Sequence, residues 1–253
     1  MGDKPKEEIK RAMVVVAHAD DAEFVCSGTV AKWCSEGVDV VYVICTDGSK
    51  GSDNPDMTSN KLSKIRREEQ SKAGSILGLK CVEFLGYEDS VLQPTIELRR
   101  DIAREIRRHK PDVLVCMYPM RNLKSGNGGH PDHIASGEAA LSAVFPTARD
   151  RLTFPDLLES GLEPHKVSEV WIMGHPDPNL WIDVTPHILT AAKALSQHVS
   201  QLGGKIDDDV VRLLKNSRRS TAFGKGLNYA EAFRRLVYEE RLVQIGIFES
   251  ADN

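Results

Sequence analysis

One imidazole and three carboxylates lie within six consecutive residues near the start of the chain. His18, Asp20, Asp21 and Glu23 follow the apolar run at residues 13–17. Adjacent residues at the end of a strand point in different directions. Asp20 and Asp21 can therefore divide two tasks, because one carboxylate can bind a divalent metal while its neighbour accepts a proton from metal-bound water.

A second group of titratable residues follows the apolar run at residues 113–118, after a loop rich in glycine and asparagine. It has the sequence Gly-His-Pro-Asp-His and ends at His133. Two histidines and one carboxylate with an open position for water are typical of a catalytic zinc site. His18, Asp21 and His133 fit that requirement, and the same ligands also accept other divalent metals such as Fe²⁺.

His130 precedes His133 by three residues and suits a different task. A tetrahedral intermediate needs a donor for its oxyanion and a proton for its leaving amine, and an imidazole can supply either one. Asp132, or another acid, would be the partner of this imidazole. The residue types therefore predict metal-assisted hydrolysis of an amide.

Short apolar runs and helical segments alternate along the chain, which predicts an α/β fold. The fold class is a Rossmann-like three-layer α/β/α arrangement with a mostly parallel sheet. Ligands of such sheets bind at the carboxyl ends of the strands, so both groups should face one crevice. Strands are predicted at residues 13–17, 38–45, 81–85, 113–118, 169–173 and 180–184, and helices at residues 22–36, 62–77, 95–109, 186–202 and 229–239. Residues 206–226 are predicted to be a variable loop or lid.

Composition and charge exclude several classes of function. The 253 residues have 41% hydrophobic content and a net charge of −4, which gives no attraction to nucleic acid. The longest apolar runs span six residues, whereas a membrane helix needs about 18, so no membrane span is expected. We expect a single domain over residues 1–253 with a tail at residues 1–10. The charged N-terminal segment favours a cytoplasmic location.

Several segments resemble one known family. The stretch VVVAHADDAEFVCSGTVAKW is similar to the A-H-P-D-D-x-E signature of the PIG-L (LmbE-like) zinc-dependent N-acetylglucosaminyl de-N-acetylases, and GGHPDH is similar to their second motif. Collinear similarities continue in IRREEQSKAGSILGL, FLGYEDS, WIDVT, AAKALSQHVSQ and YAEAFRRL. Ala19 departs from the family pattern, which has proline there, but this position supplies no ligand.

The resemblance implies a Zn²⁺-dependent hydrolase with a small-molecule amino-sugar substrate. By position, the metal ligands would be His18, Asp21 and His133. Asp20 would be the general base for metal-bound water attacking the amide, and His130 the acid that stabilises the oxyanion. Homo-oligomers are common among enzymes of this type.

Four further positions carry expectations of their own. Arg66 and Asp89 match positions associated with substrate recognition in the deacetylases of bacillithiol and mycothiol biosynthesis. Glu23 would stabilise the first turn of its helix or hydrogen-bond a metal-ligating histidine. Asp132 would likewise support the site from behind its ligands.

Two other functions compete with the hydrolase. A mononuclear Fe(II) oxygenase also uses two histidines and one carboxylate, but it would need the hairpin-linked strands of an all-β barrel. A non-catalytic Rossmann-like binder of sugars or nucleotides is the second alternative. No G-x-G-x-x-G motif follows the first strand, and acidic residues occupy the place of a pyrophosphate.

Overall fold

A computed structural model describes residues 8–123, 128–203 and 207–238 of the chain. Seven strands form one sheet in the order β3-β2-β1-β4-β5-β7-β6. The strands are β1 (Arg11–Val16), β2 (Asp39–Thr46), β3 (Cys81–Tyr87), β4 (Val113–Met117), β5 (Glu169–Met173), β6 (Leu180–Asp183) and β7 (Ala230–Val237). The first five strands in the sheet order are parallel, and β7 is antiparallel to both of its neighbours.

Helices cover both faces of the sheet. They are α1 (Asp21–Val25), α2 (Ser27–Ser35), α3 (Ser59–Leu77), α4 (Ile96–His109), α5 (Pro131–Ser142), α6 (Pro155–Glu159), α7 (Ile188–Leu195) and α8 (Asp207–Ala222). Helices α4 and α5 bury apolar side chains against one face, while α2, α3 and α7 pack on the other. The predicted three-layer, mostly parallel α/β fold is therefore confirmed. No helix in the described part of the chain is long and apolar enough to cross a membrane.

The central strands β1, β2 and β4 form because their β-branched runs are buried on both faces. Strand β1 lies in the middle of the sheet, and every residue from Met13 to Val16 is fully buried. Such continuous apolar runs are characteristic of parallel strands covered by helices on each side. The strands predicted from the first four runs are all present.

The predicted loop or lid at residues 206–226 is wrong over residues 207–222, which form α8, and residue 206 lies outside the described residues. The buried residues of α8 recur every four positions, at Val210, Leu214, Arg218 and Ala222. Val210 and Leu214 pack on α7. Charged residues cover the remaining faces of this helix and obscure its narrow apolar stripe.

The predicted helix at residues 229–239 is also wrong. Residues 230–237 form β7, which pairs with β5 on one side and β6 on the other. Its Ala, Glu, Arg and Leu residues favour a helix in isolation, but pairing on both edges outweighs that local preference. Residue 239 lies outside the described residues, as do residues 1–7 of the predicted tail.

Two other predicted helices are interrupted. The segment predicted at residues 22–36 is divided into α1 and α2 at Cys26, whose φ of −133° is not helical. The segment predicted at residues 186–202 contains α7 between two short 3₁₀ turns.

A buried ion pair joins β7 and α8 to the start of α2. The Glu231 carboxylate accepts hydrogen bonds from the backbone N–H groups of Gly28 (3.0 Å) and Thr29 (2.7 Å). It also accepts from Arg218 Nε at 3.1 Å and Nη2 at 3.0 Å. Arg218 Nη2 additionally donates to Phe24 O at 2.9 Å. One ion pair thus connects three segments that are far apart in the sequence.

Replacing Arg218 with methionine should lower the free energy of unfolding by about 3–5 kcal/mol, because Glu231 would remain buried without a compensating cation. Chemical denaturation measures this loss. The matched control is Arg212→Met on the exposed side of α8, where Arg212 pairs with Asp209 in water. The control should lose about 1 kcal/mol or less. Similar losses in both variants would show that the buried pair has no special role.

Candidate metal centre

The two titratable groups meet at the carboxyl edge of the sheet. Strand β1 leads into one group and β4 leads toward the other, and these strands are neighbours. The chain passes from β1 to β2 on one side, while β4 lies on the other side of β1. Ligands of open α/β sheets bind at such a switch point. The prediction that both groups face one crevice agrees with this arrangement.

The backbone places Asp20 and Asp21 in different environments. Asp20 has a φ of 96°, a left-handed conformation that few residues other than glycine adopt, and its N–H donates to Gln70 Oε1 at 3.2 Å. Asp21 is the first residue of α1, and its Oδ2 accepts from the His18 N–H at 2.8 Å. The two adjacent carboxylates are therefore held separately.

The second group is positioned by the N-terminus of α5. His130 is the N-cap and Pro131 takes the first helical position, where a missing N–H costs nothing. His133 follows on the first turn. Gly137 allows α5 to approach β4 closely, because a Cβ atom at this position would lie 2.3 Å from Met117 O.

Asp21 lies between the two predicted histidine ligands. Its Oδ1 is 3.0 Å from His133 Nε2, and its Oδ2 is 3.4 Å from His18 Nδ1. His18 is nearly buried, whereas about a third of the His133 side chain is exposed (32%). Asp21 thus contacts one predicted histidine ligand through each of its oxygens, and solvent can reach this place from the side of His133. Nitrogen atoms of His18, His130 and His133 also lie within 4.8 Å of one another.

The opposite nitrogen of His18 faces two further carboxylates. His18 Nε2 is 3.1 Å from Asp89 Oδ1 and 3.2 Å from Asp132 Oδ2. Asp132 is itself fixed, since its Oδ2 accepts from the Ser90 N–H at 2.7 Å. A carboxylate behind a histidine is the usual way of orienting a metal-binding imidazole. The predicted supporting position of Asp132 agrees with this contact.

Four carboxylates, those of Asp20, Asp21, Asp89 and Asp132, are buried around His18. Arg66 lies among them, with Nη1 3.5 Å from Asp89 Oδ2 and Nη2 3.9 Å from Asp20 Oδ2. Such a concentration of buried negative charge needs a cation. The excess charge and the donor atoms therefore fit a divalent metal ion.

The contacts in the site shift the pKa values of Asp20, Asp21 and His18 in different ways. Burial and the charge of Asp21 raise the pKa of Asp20 to about 7. Burial also opposes ionisation of Asp21, but its contacts with His133 and His18 outweigh burial and hold its pKa well below the usual range. Burial disfavours the imidazolium of His18, yet Asp21 and Asp89 raise its pKa to about 10. Pairs of carboxylates whose acidities differ in this way are typical of catalytic sites.

His130 lies on the solvent side of the same group. Its ring centroid is 4.8 Å from that of His18, and 40% of its side chain is exposed. His130 Nδ1 accepts the backbone N–H of Asp132 at 3.2 Å, so the proton of the neutral ring is on Nε2. The carboxylate of Asp132, its expected partner, is farther away at 3.9 Å. Burial and the charge of His18 lower the pKa of His130 and favour this neutral form.

Arg66 and Asp89 also lie in this site, where they are buried and do not form surface contacts. Arg66 Nη1 donates to Gly48 O at 3.3 Å. Asp89 Oδ2 accepts from the Lys50 N–H at 3.0 Å. Burial opposes ionisation of Asp89, but contacts with His18 outweigh it and lower its pKa. Arg66 therefore contacts the side chain of Asp20, and Asp89 contacts that of His18.

Sequence reasoning did not assign any role in the site to Gln70 or His198. Gln70 Nε2 donates to Glu23 Oε1 at 2.9 Å, and His198 Nε2 lies 3.4 Å from Glu23 Oε2. All three side chains are fully buried. Glu23 thus contacts Gln70 and His198 instead of the metal-ligating histidines considered for it. Because Gln70 also accepts from the N–H of Asp20, this buried chain reaches the candidate base.

Comparison with known proteins identifies related sequences and structures. A family model described as GlcNAc-PI de-N-acetylase, PIG-L, matches residues 13–144. The diacetylchitobiose deacetylase of Thermococcus kodakarensis is 30% identical and aligns with 91% of this chain and 85% of its own length. A probable N-acetyl-alpha-D-glucosaminyl L-malate deacetylase 2 of Bacillus anthracis is 27% identical, covering 79% and 84% of the two chains.

The fold is also similar to that of a solved enzyme. The N,N'-diacetylchitobiose deacetylase of Pyrococcus horikoshii superposes with a TM-score of 0.84 at 28% sequence identity. The similarity covers 92% of this chain and 86% of that structure. Sequence and structure thus match the same group of proteins over nearly the whole chain.

Proposed function

Because the chain belongs to the PIG-L family of GlcNAc-PI de-N-acetylases, we propose that it removes the acetyl group from an N-acetylglucosamine-containing substrate by metal-dependent hydrolysis. The observation that carries the proposal is the position of Asp21 between His18 Nδ1 and His133 Nε2, with Asp20 beside it. The α/β sheet argues against the Fe(II) oxygenase, which would need an all-β barrel.

The proposed ligands are His18, Asp21 and His133, with Zn²⁺ as the proposed ion. A zinc ion held there would supply Lewis acidity, which lowers the pKa of water and polarises a carbonyl oxygen. The imidazole and carboxylate donors suit zinc, and other divalent metals accept them too. The contacts of His18 Nε2 with Asp89 and Asp132 leave its Nδ1 facing the carboxylate of Asp21, as ligation requires.

Asp20 is the proposed general base. It accepts a proton from the attacking water as the new carbon–oxygen bond forms at the acetamide carbon. Burial and the charge of Asp21 raise the pKa of Asp20 above the ordinary value of a carboxyl, which makes Asp20 a stronger base than an exposed aspartate. The proton then passes to the amine nitrogen as the carbon–nitrogen bond breaks, which gives acetate and a free amino sugar.

His130 is the proposed donor to the oxyanion. Its Nδ1 is occupied by the N–H of Asp132, which leaves Nε2–H as the donor and orients the ring before the substrate binds. Donors fixed in advance stabilise developing charge without having to reorganise. Arg66 and Asp89 are also proposed to contact the sugar, in addition to holding Asp20 and His18.

Release of acetate tests the proposed function. Purified protein is incubated with N-acetylglucosamine, N,N'-diacetylchitobiose and N-acetylglucosaminyl glycosides, and free acetate and primary amine are measured in parallel. We expect equal amounts of the two products, loss of activity after removal of metal with a chelator, and recovery when Zn²⁺ is added back. A failure to deacetylate any of these compounds, or turnover by fully metal-free protein, would contradict the proposal.

His130→Ala should reduce turnover about 10²–10³-fold, as expected when one oxyanion donor is removed. Metal content and substrate binding should remain close to wild type, because His130 is not a proposed ligand. Steady-state kinetics across a range of pH provides the measurement. An unchanged turnover number, or an unaltered pH–rate profile, would show that His130 does not donate to the oxyanion.

Gln70→Leu should lower turnover about 10–100-fold, the range seen when an outer-shell partner is lost. Leucine fills a similar volume but cannot accept the N–H of Asp20, so the left-handed backbone at Asp20 loses its anchor. Kinetics and metal analysis are measured together. Glu68→Leu, two residues earlier on the exposed face of α3, is the matched control, and equal activity in the two variants would be evidence against this role.

A further inference from the structure

Among the described residues, a second group of metal-binding side chains lies away from the candidate centre. Cys81 and Glu83 lie on β3, and His109 is the last residue of α4. Cys81 begins its strand, so this group lies at the amino edge of the sheet, whereas the candidate centre follows the carboxyl ends of the strands. The three donor atoms all lie within 4.8 Å of one another.

The two elements present these side chains to each other for simple geometric reasons. Residues 81 and 83 are two apart on a strand, so both point to the same face of the sheet. That face is covered by α4, whose Leu98 and Ile102 pack in the core below it. Strand β3 is the edge strand of the sheet, and all three side chains are half-buried, so an ion can reach them from solvent.

Two of the three distances between donor atoms are close to those of a tetrahedral site. Bonds of about 2.3 Å to sulfur and about 2.0–2.2 Å to nitrogen or oxygen place neighbouring ligand atoms about 3.3–3.7 Å apart. Glu83 Oε1 is 3.4 Å from His109 Nε2 and 3.8 Å from Cys81 Sγ. His109 Nε2 is a buried atom without a hydrogen-bond partner, although it faces this group.

Charge near the group is also suitable. Glu105 Oε2 lies 3.6 Å from His109 Nε2, but this carboxylate is already paired with Arg104 at 3.0 Å and Arg108 at 2.7 Å. Glu105 therefore contributes little net charge and is not needed as a ligand. Glu83 is the carboxylate that remains for a cation, together with a thiol that can ionise when it binds metal.

We propose that Cys81, Glu83 and His109 form a second metal site that takes a borderline-soft divalent cation such as Zn²⁺ or Co²⁺, with one position open to water. Thiolate, imidazole and carboxylate together select such metals over Mg²⁺ and Ca²⁺. The bound ion would join the edge strand to the C-terminus of α4. This site is independent of the proposed deacetylase activity.

Cobalt spectroscopy tests the second site, because only a cysteine ligand gives a thiolate-to-Co²⁺ charge-transfer band in the near ultraviolet. The proposed catalytic ligands contain only nitrogen and oxygen and cannot produce this band. Full-length protein is stripped with a chelator under reducing conditions and titrated with Co²⁺. We expect two equivalents to bind, and the band to accompany one of them.

Matched variants assign the band. Cys81→Ser and His109→Gln should each abolish it and reduce binding to one equivalent, whereas Cys34→Ser, at another half-buried cysteine, should keep both. His133→Ala should keep the band while losing the other equivalent, so the two sites fail separately. The absence of the band in wild-type protein at saturating Co²⁺, or its persistence in Cys81→Ser, would overturn the proposal. Thermal unfolding of the metal-free variants checks folding, and His109→Gln decides the outcome if Cys81→Ser is unstable.

Discussion

Asp20→Asn is expected to reduce turnover about 10²–10⁴-fold while bound metal stays near the wild-type level. The amide cannot accept the proton of water, so the loss falls on the chemical step. Asparagine has nearly the same size as aspartate and is among the residues that tolerate a left-handed backbone, which Asp20 requires with its φ of 96°. The substitution therefore removes the base with little change in the loop.

Turnover number and metal content must be measured on the same sample. Glu88→Gln is the matched control, since Glu88 is an exposed acidic residue next to Asp89 whose partner is Lys50 at 3.1 Å. The control should retain activity within about twofold, as expected for a weak surface pair. Normal turnover in Asp20→Asn would show that another group is the base, and loss of metal would show that Asp20 is a ligand.

His18→Ala and His133→Ala are expected to lose the catalytic metal. Each removes one of three protein ligands, so metal affinity should fall by more than the factor of about 10–100 that is typical for loss of an outer-shell partner. Both variants should also lose nearly all acetate release. Elemental analysis after dialysis against a defined free-metal concentration gives the affinity directly.

His175→Ala is a suitable control, because His175 lies in a turn with the same local sequence and hydrogen bond as His130. The sequence His175-Pro-Asp repeats the letters of His130-Pro-Asp, and His175 Nδ1 accepts the N–H of Asp177 at 3.0 Å, just as His130 Nδ1 accepts that of Asp132. It lies between β5 and β6, not beside His18. Metal content should remain unchanged in this variant, and full metal occupancy in both His18→Ala and His133→Ala would mean that the ligands lie elsewhere.

The first half of the fold could be predicted from sequence because its signals are local. From β1 to β4, apolar runs alternate with helical segments that end at glycine or before proline. Strands β1, β2 and β4 are buried almost throughout, while β3 is a half-buried edge strand. Beyond β6 the outcome depends on partners. Helix α8 needs α7 to cover its narrow apolar stripe, and β7 is a strand because β5 and β6 lie on both sides of it.

In the candidate site too, some features follow from local sequence and others depend on contacts between distant elements. The convergence of His18 and His133 follows from the rule that parallel strands present their carboxyl ends at one edge. Spacing in the sequence could not reveal that Asp89 contacts His18, or that Gln70 links Glu23 to Asp20, because these contacts join separate elements. The charged segment EEQ and the stretch HVSQ were the available signals for Gln70 and His198, but neither specifies a partner.

The two histidine-proline-aspartate turns make this point most clearly. Their local hydrogen bonds are the same, yet one turn faces His18 and the other contacts Tyr118 at a ring-centroid distance of 4.7 Å. Local sequence therefore determines the shape of the turn, while the position of the turn in the sheet determines which chemistry is within reach.

Anomalous diffraction from crystals of the zinc-loaded protein gives the most direct test of the metal centre. At this centre, the expected result is a fully occupied ion bonded to His18 Nδ1, the Asp21 carboxylate and His133 Nε2, with bonds of about 2.0–2.2 Å and with Asp20 adjacent but not ligating. An ion that omits any of these three side chains, or the absence of anomalous density between them in an active, zinc-loaded sample, would contradict the assignment.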